Sequence, residues 1–152
     1  MSTETPPAGD LYLVVGYDGS PPATRALDGA VRLLSGRTGS IEVVYIAHLP
    51  AVDMMSADAI AGVEDSFDEV GRDLHTQARE QLAGKEDRWT FARGDGTVPE
   101  VLIATAQKLR DDHPGDTVVI VVGSSSQAMH RVVGSVSVSL ARHAEVPVMI
   151  VP

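Results

Sequence analysis

The chain has 152 residues, of which 43% are hydrophobic and 22% charged, which excludes disorder as the main state and makes a single core the expectation at this length. With 21 acidic against 12 basic residues its formal charge is −9, a poor match for a nucleic-acid backbone, and the lack of cysteine removes disulfides, thiol catalysis and Cys-based zinc from consideration. No apolar run approaches the roughly 20 residues of a membrane span, and Met1 to Asp10 has neither a basic n-region nor an apolar h-region, so a cytoplasmic protein without membrane contact is expected.

Residues 1–10 are polar, with Pro6-Pro7, and read as a flexible lead-in; residues 11–152 read as a single domain. Leu11 to Val15 is a short continuous apolar run, the pattern of a strand buried on both faces, and it ends in Gly16-Tyr17-Asp18-Gly19-Ser20-Pro21-Pro22. Ser20 before Pro21 predicts a helix start, with a hydroxyl for the free amides and proline in the first turn. Ala23, Ala26, Leu27, Ala30, Val31 and Leu34 form its apolar stripe, and Gly36 and Gly39 end it. Ile41 to Ala47 predicts a second strand, Pro50 to Gly62 an irregular stretch holding Met54-Met55, and Val63, Phe67, Val70, Leu74, Ala78 and Leu82 a second helix. Met54-Met55 fits either a flap over a pocket or a variable surface loop.

Arg88 to Arg93 is a weaker strand with Trp89 and Phe91 on one side, followed by a helix over Thr97 to Leu109; Asp95, between Gly94 and Gly96, reads as turn chemistry. Thr117 to Val122 is the most apolar strand and runs into Gly123, a helix spans about Ser135 to His143, and Val148 to Val151 closes the chain. Strands alternating with helical patterns predict a parallel sheet covered on both faces. Pro147 and Pro152 bracket the last strand, which marks an edge, and its apolar character predicts that a second copy of the same strand covers it.

In open parallel sheets ligands bind beyond the carboxyl ends of the strands. Two such ends carry suggestive residues: Asp18 after the first strand, and the run from Gly123 to Ser137 after the fourth. Glycines admit close backbone approach, serines donate hydrogen bonds, and free amides at a helix start attract anions. From Thr117 to Ala144 there is no acid, while His130, Arg131, Arg142 and His143 occur, which reads as an anion-facing surface or as the charge exclusion of a buried strand and helix.

Sharper motifs fail. The P-loop and the dinucleotide fingerprint are absent, and Gly123-Ser124-Ser125-Ser126-Gln127 lacks the last glycine of a nucleophile elbow. A triad of Ser125, His130 and Asp18 is the enzymatic alternative. His48, His75, His113, His130 and His143 lie scattered, with no metal-ligand spacing, so no metal is expected.

These residues resemble the universal stress protein family from Leu11 to Pro152. The resemblance rests on Val14 to Pro21, on Gly96-Thr97-Val98-Pro99-Glu100-Val101-Leu102, on Val121-Val122-Gly123-Ser124, on Val133-Gly134-Ser135-Val136-Ser137 and on Glu145 to Val151. It implies an α/β fold, a Rossmann-like open sheet of five parallel strands in the order 3-2-1-4-5 with helices on both faces, dimeric through Val148 to Val151. Strands 1 and 4 would then be neighbours, with Asp18 and Gly123 flanking one crevice.

ATP-binding members carry Gly-x2-Gly-x9-Gly-Ser/Thr after strand 4. Carried over, phosphate contacts fall on Gly123, Ser126, Gly134, Ser135, Val136 and Ser137, the ribose contact on Asp18, and the adenine contact near Ile46. Two departures stand out: Ser126 replaces the second glycine, and ten residues separate Gly123 from Gly134 where the motif has twelve. The shortening removes up to roughly 7 Å of reach, and a serine held at positive φ would cost roughly 1–2 kcal/mol. The expected ligand is therefore an adenine nucleotide, ATP or AMP, with a short anion such as a monophosphate favoured over a full triphosphate. The resemblance implies a stress-response homodimer that is not an enzyme. The alternatives are a protein-interaction module with a degenerate site and slow nucleotide hydrolysis.

Overall fold

In the computed structural model, which describes residues 9–47, 55–124 and 134–152, strands and helices alternate strictly. The elements are β1 (Leu11–Gly16), α1 (Pro21–Leu34), β2 (Gly39–Ala47), α2 (Ala57–Gln81), β3 (Trp89–Asp95), α3 (Val98–Asp112), β4 (Thr117–Gly123), α4 (Ser135–His143) and β5 (Val148–Val151). The sheet is parallel throughout, in the order β3-β2-β1-β4-β5, so the strand order implied by the resemblance is the observed one.

The unbroken apolar runs of β1 and β4 follow from their central position, because both faces of each strand are covered. On one face Leu13, Val15, Val43 and Val121 pack against Leu27, Ala30 and Leu34 of α1 and Leu74 and Ala78 of α2. On the other, Val14, Val44 and Ile120 pack against Leu102 and Ala106 of α3 and Leu140 of α4. Trp89 and Phe91 share the first face, as their spacing predicts.

Three helices open on a hydroxyl that accepts an amide of the first turn. Ser20 Oγ accepts from Ala23 N–H (3.3 Å), Ser56 Oγ from Ala59 N–H (3.2 Å) and Thr97 Oγ1 from Glu100 N–H (3.4 Å). Gln81 Nε2 ties α2 to α1 by donating to Thr24 O (2.8 Å) and Asp28 Oδ1 (2.7 Å).

Three boundaries differ from the sequence reading. Part of the stretch from Pro50 to Gly62 is helical, since α2 begins at Ala57 behind its Ser56 cap; residues 48–54, Met54 among them, lie outside the described residues. Asp95 is not a free turn residue but the last of β3, in register with Ala47 and paired with Arg93 Nε (3.2 Å). The lead-in also stops short of Asp10, whose N–H donates to Asp116 Oδ1 (2.9 Å) and whose carboxylate accepts from Thr38; residues 1–8 lie outside the described ones.

Glu42, in the middle of β2, is a half-buried carboxyl in register with Val14. Burial pushes its pKa up, and Lys108 offsets part of that rise. As pH rises, the unfolded chain loses this proton before the folded one does, so the folded state is increasingly penalised through that window. Replacing Glu42 by Gln should therefore raise stability at pH 7. In urea unfolding the gain should vanish below the ordinary carboxyl pKa of about 4.3; a loss of stability at pH 7 would contradict the burial argument.

Candidate functional site

The carboxyl ends of β1 and β4 meet at one corner. Tyr17 N–H closes the β1–β2 ladder on Val44 O (2.9 Å), and the chain then turns through Asp18. Asp18 Oδ1 accepts from Ser20 N–H (3.0 Å), with Gly19 at φ 75°, so one carboxylate oxygen shapes the turn while the exposed side chain keeps the other free to face a ligand. Burial pushes the neighbouring Tyr17 phenol up, and a hydrogen bond to Thr24 offsets part of that rise.

Gly123 ends β4, and a Cβ there would collide with the carbonyl of Pro22. Its glycine is thus required by the first turn of α1, which sits directly on the strand end. This packing requirement holds beside the ligand contact that the resemblance implies for the same glycine. Ser124 N–H donates to Val151 O (2.8 Å), and Ser124 O accepts from Arg25 Nη2 (3.2 Å). Arg25 brings a cation from α1 to the same corner.

Ile46 lies two residues beyond Val44 on β2. In a parallel ladder alternate residues direct both backbone groups to the same neighbour. The Tyr17–Val44 bond therefore places Ile46 N–H and C=O on the β1 side, past the point where β1 ends. Its side chain packs into the apolar layer under α3.

Helix α4 completes the corner. Its N-cap is Gly134 (φ −61°, ψ 160°), with no side-chain cap bond, unlike α1, α2 and α3. The first internal bond is Val138 N–H to Gly134 O (3.1 Å), so the amides of Ser135, Val136 and Ser137 precede the helical ladder. Leu140, fully buried, anchors the helix; Ser135 is exposed, Ser137 is buried at 3% exposure, and Val136 packs its side chain into the layer beneath. A helix start of this kind offers donors and a positive dipole end to an anion.

The structure therefore brings Asp18, Ile46, Gly123, Gly134, Ser135, Val136 and Ser137 to one end of the sheet. Ser126, Ser125 and His130 lie outside the described residues. Arg25 is the residue that sequence reasoning missed, and its one available signal was a basic residue early in α1, close to the strand-end turn. Among the described residues no group of three His, Cys, Asp or Glu side chains could hold a metal. Among the described helices none is long and apolar enough to cross a membrane. A cavity of about 650 Å³ lies at the opposite end of the sheet, between His113–Val118 and Glu145–Pro147, and a second of about 380 Å³ lies between α2 and β3.

Residues 13–152 match the Universal stress protein family. No curated protein sequence matches the chain. Among solved structures, the universal stress protein UspA from Lactobacillus plantarum superposes with a TM-score of 0.75 at 18% identity, covering 95% of this chain and 99% of that one. A universal stress protein in complex with cAMP gives 0.64 at 22% identity over 95% and 99% of the two chains. A universal stress protein family protein from Arabidopsis thaliana with AMP bound gives 0.56 at 16% identity over 93% and 90%.

The packing role of Gly123 is open to measurement. Gly36, at φ 74° with open space around its Cβ position, should cost about 1–2 kcal/mol on change to Ala. Gly123→Ala, which must displace the Pro22 backbone, should cost more than about 2 kcal/mol by urea unfolding. A cost at or below that of Gly36→Ala would show that α1 is not seated on β4 in this way.

Proposed function

The chain belongs to the universal stress protein family, and on that footing we propose that it is a non-enzymatic stress-response protein of the cytoplasm that binds an adenine monophosphate nucleotide at the β1/β4 corner. The observation that carries this reading is the start of α4, which lacks a side-chain cap and opens in a segment free of acids in a chain of formal charge −9. A phosphate would take the amides of Ser135, Val136 and Ser137, with the Ser135 hydroxyl beside them. Asp18 would accept from a ribose hydroxyl, and the backbone of Ile46 would meet the adenine edge. Arg25 adds positive charge at the Ser124 end of the corner.

A monophosphate is favoured over a triphosphate because the Gly123 to Gly134 segment is two residues shorter than the motif and carries Ser126 in place of glycine. The relatives bound to cAMP and to AMP support the same size of ligand. Hydrolysis is disfavoured because, at the described part of the corner, the titratable side chains are Asp18, already shaping its turn, and Arg25, with Tyr17 pushed up by burial. None of these side chains is held by a second group in the way that would orient a general base.

The working unit is proposed to be a homodimer joined through β5. The Ile120–Pro147 and Ser124–Val151 backbone bonds direct the N–H and C=O of Val148 and Ile150 outward, and Ile150 is an exposed apolar side chain at 40%. A second copy would pair this edge and cover that side chain.

Calorimetric titration with AMP, cAMP, ADP and ATP should show AMP or cAMP binding more tightly than ATP. Gly134→Asp should fill the helix cap with its own carboxylate, leave stability unchanged or slightly raised, and weaken nucleotide binding by about 10- to 100-fold. Flat traces for all four ligands would remove the nucleotide reading and leave a protein-interaction module, while ATP as the tightest ligand would overturn the monophosphate preference. Ile150→Asp should convert a dimer to a monomer in sedimentation equilibrium without loss of helical signal; a wild-type monomer at micromolar concentration would refute assembly through β5.

A further inference from the structure

The sheet has a second edge, and it is the longer one. Ile41 N–H donates to Arg88 O (2.9 Å) and Gly96 N–H to Ala47 O (3.4 Å), which fixes the hydrogen-bond parity of β3. Thr90, Ala92 and Gly94 direct their backbone groups to β2, so Trp89, Phe91, Arg93 and Asp95 direct theirs outward. Among the described residues no backbone bond reaches those outward groups. β5 by comparison turns only Val148 and Ile150 outward.

Natural proteins blunt such edges with charge or proline. Here the far half of the edge is blunted, since Arg93 is paired with Asp68 (2.8 Å) and Asp95 (3.2 Å). The near half is not. Trp89, Thr90 and Phe91 instead line the cavity of about 380 Å³ with His75, Arg79 and Glu86. The His75 ring stacks on Phe91 (centroids 4.8 Å, 10°) and meets Trp89 edge-on (5.6 Å, 78°), giving the cavity an aromatic wall.

Its rim is asymmetric in charge. Glu86 Oε1 already accepts from Gly84 N–H (3.0 Å), and backbone donors, that of Gly84 first, hold its carboxyl below the usual range. Arg79 has no carboxylate within 4.0 Å among the described residues. An outward row of amides and carbonyls, an aromatic pocket beside it and an unmatched guanidinium on the rim together complement one chemistry.

We propose that the outer edge of β3 from Trp89 to Arg93 is a docking surface for an extended peptide, which adds a strand, places an aromatic or branched aliphatic side chain in the pocket, and sets an acidic side chain against Arg79. The backbone row supplies affinity without regard to sequence, and the pocket and Arg79 supply the choice of partner. This surface is separate from the β1/β4 corner, and its test does not depend on nucleotide binding.

The probe is the capped peptide acetyl-Thr-Phe-Thr-Glu-Thr-Val-amide, with the Glu replaced by Lys as control. Hydrogen exchange read residue by residue should slow at Phe91 and Arg93 N–H, by about tenfold when nine-tenths of the protein is occupied. Exchange at Thr90 and Ala92 N–H, already bonded within the sheet, should not change. Fluorescence of Trp89, the sole tryptophan, should report the same binding curve. Arg79→Glu, on an exposed helical position, should weaken the Glu peptide by about tenfold and strengthen the Lys peptide, a change of about 1.4 kcal/mol each. Absence of binding at millimolar peptide would overturn the proposal, as would equal slowing at odd and even positions. Protection of Phe91 and Arg93 that rises with protein concentration in the absence of peptide would overturn it in favour of a second copy at this edge.

Discussion

The contact between the Pro22 backbone and Gly123 is the point on which the geometry of this chain depends. A parallel sheet must return its chain through helices, and each helix start is left above a strand end with unsatisfied amides. Seating α1 directly on the end of β4 joins two strand ends that are more than ninety residues apart in sequence. The turn carrying Asp18 is thereby fixed relative to the end of β4 at Gly123. Were a side chain present at Gly123, the first turn of α1 and the end of β4 would be forced apart, and the corner would open.

Capping chemistry separates structural helix starts from the candidate binding one. Ser20, Ser56 and Thr97 each satisfy one amide of their own helix, so α1, α2 and α3 present less uncompensated donor potential to solvent. Gly134 offers no side chain to do so. The loss of a cap costs α4 stability, typically a few tenths of a kcal/mol for glycine in place of a good cap. Burial of Leu140 and the packing of Val136 offset that cost.

Much of the fold was legible because burial leaves a plain trace in composition. The continuous apolar runs of β1 and β4, the Ser20 and Thr97 helix starts and the Pro-bounded β5 all lie where local pattern and tertiary position agree. The start of α2 was not legible: Ala57, Ala59 and Ala61 favour helix by propensity, but with Gly62 among them they carry no strong apolar stripe, and periodicity is the signal that sequence reading uses. Asp95 looked like turn chemistry between two glycines, yet pairing with β2 extends the strand through it, a tertiary effect overriding local preference. At the corner, residue types and order pointed to Asp18 and the Gly134–Ser135 turn. They could not reveal which backbone approaches Gly123, nor that Arg25 reaches Ser124, because both facts are contacts between distant segments.

The distribution of charge ties these parts together. A chain this acidic repels anions at long range, and screening confines that repulsion to about 8–10 Å at ordinary ionic strength. What an anion meets at close quarters is then decided locally. The acids gather on α2, where Asp58, Glu64, Asp65, Asp68, Glu69 and Asp73 occur within one helix, while the segment from Thr117 to Ala144 has none. Sheet topology keeps the two apart, because α2 covers the face shared with α1 and β3, whereas α4 lies on the opposite face beside α3. The acids of α2 and the uncapped amides of α4 thus stand on opposite faces of the sheet, so the overall charge does not conflict with the anion site proposed at α4.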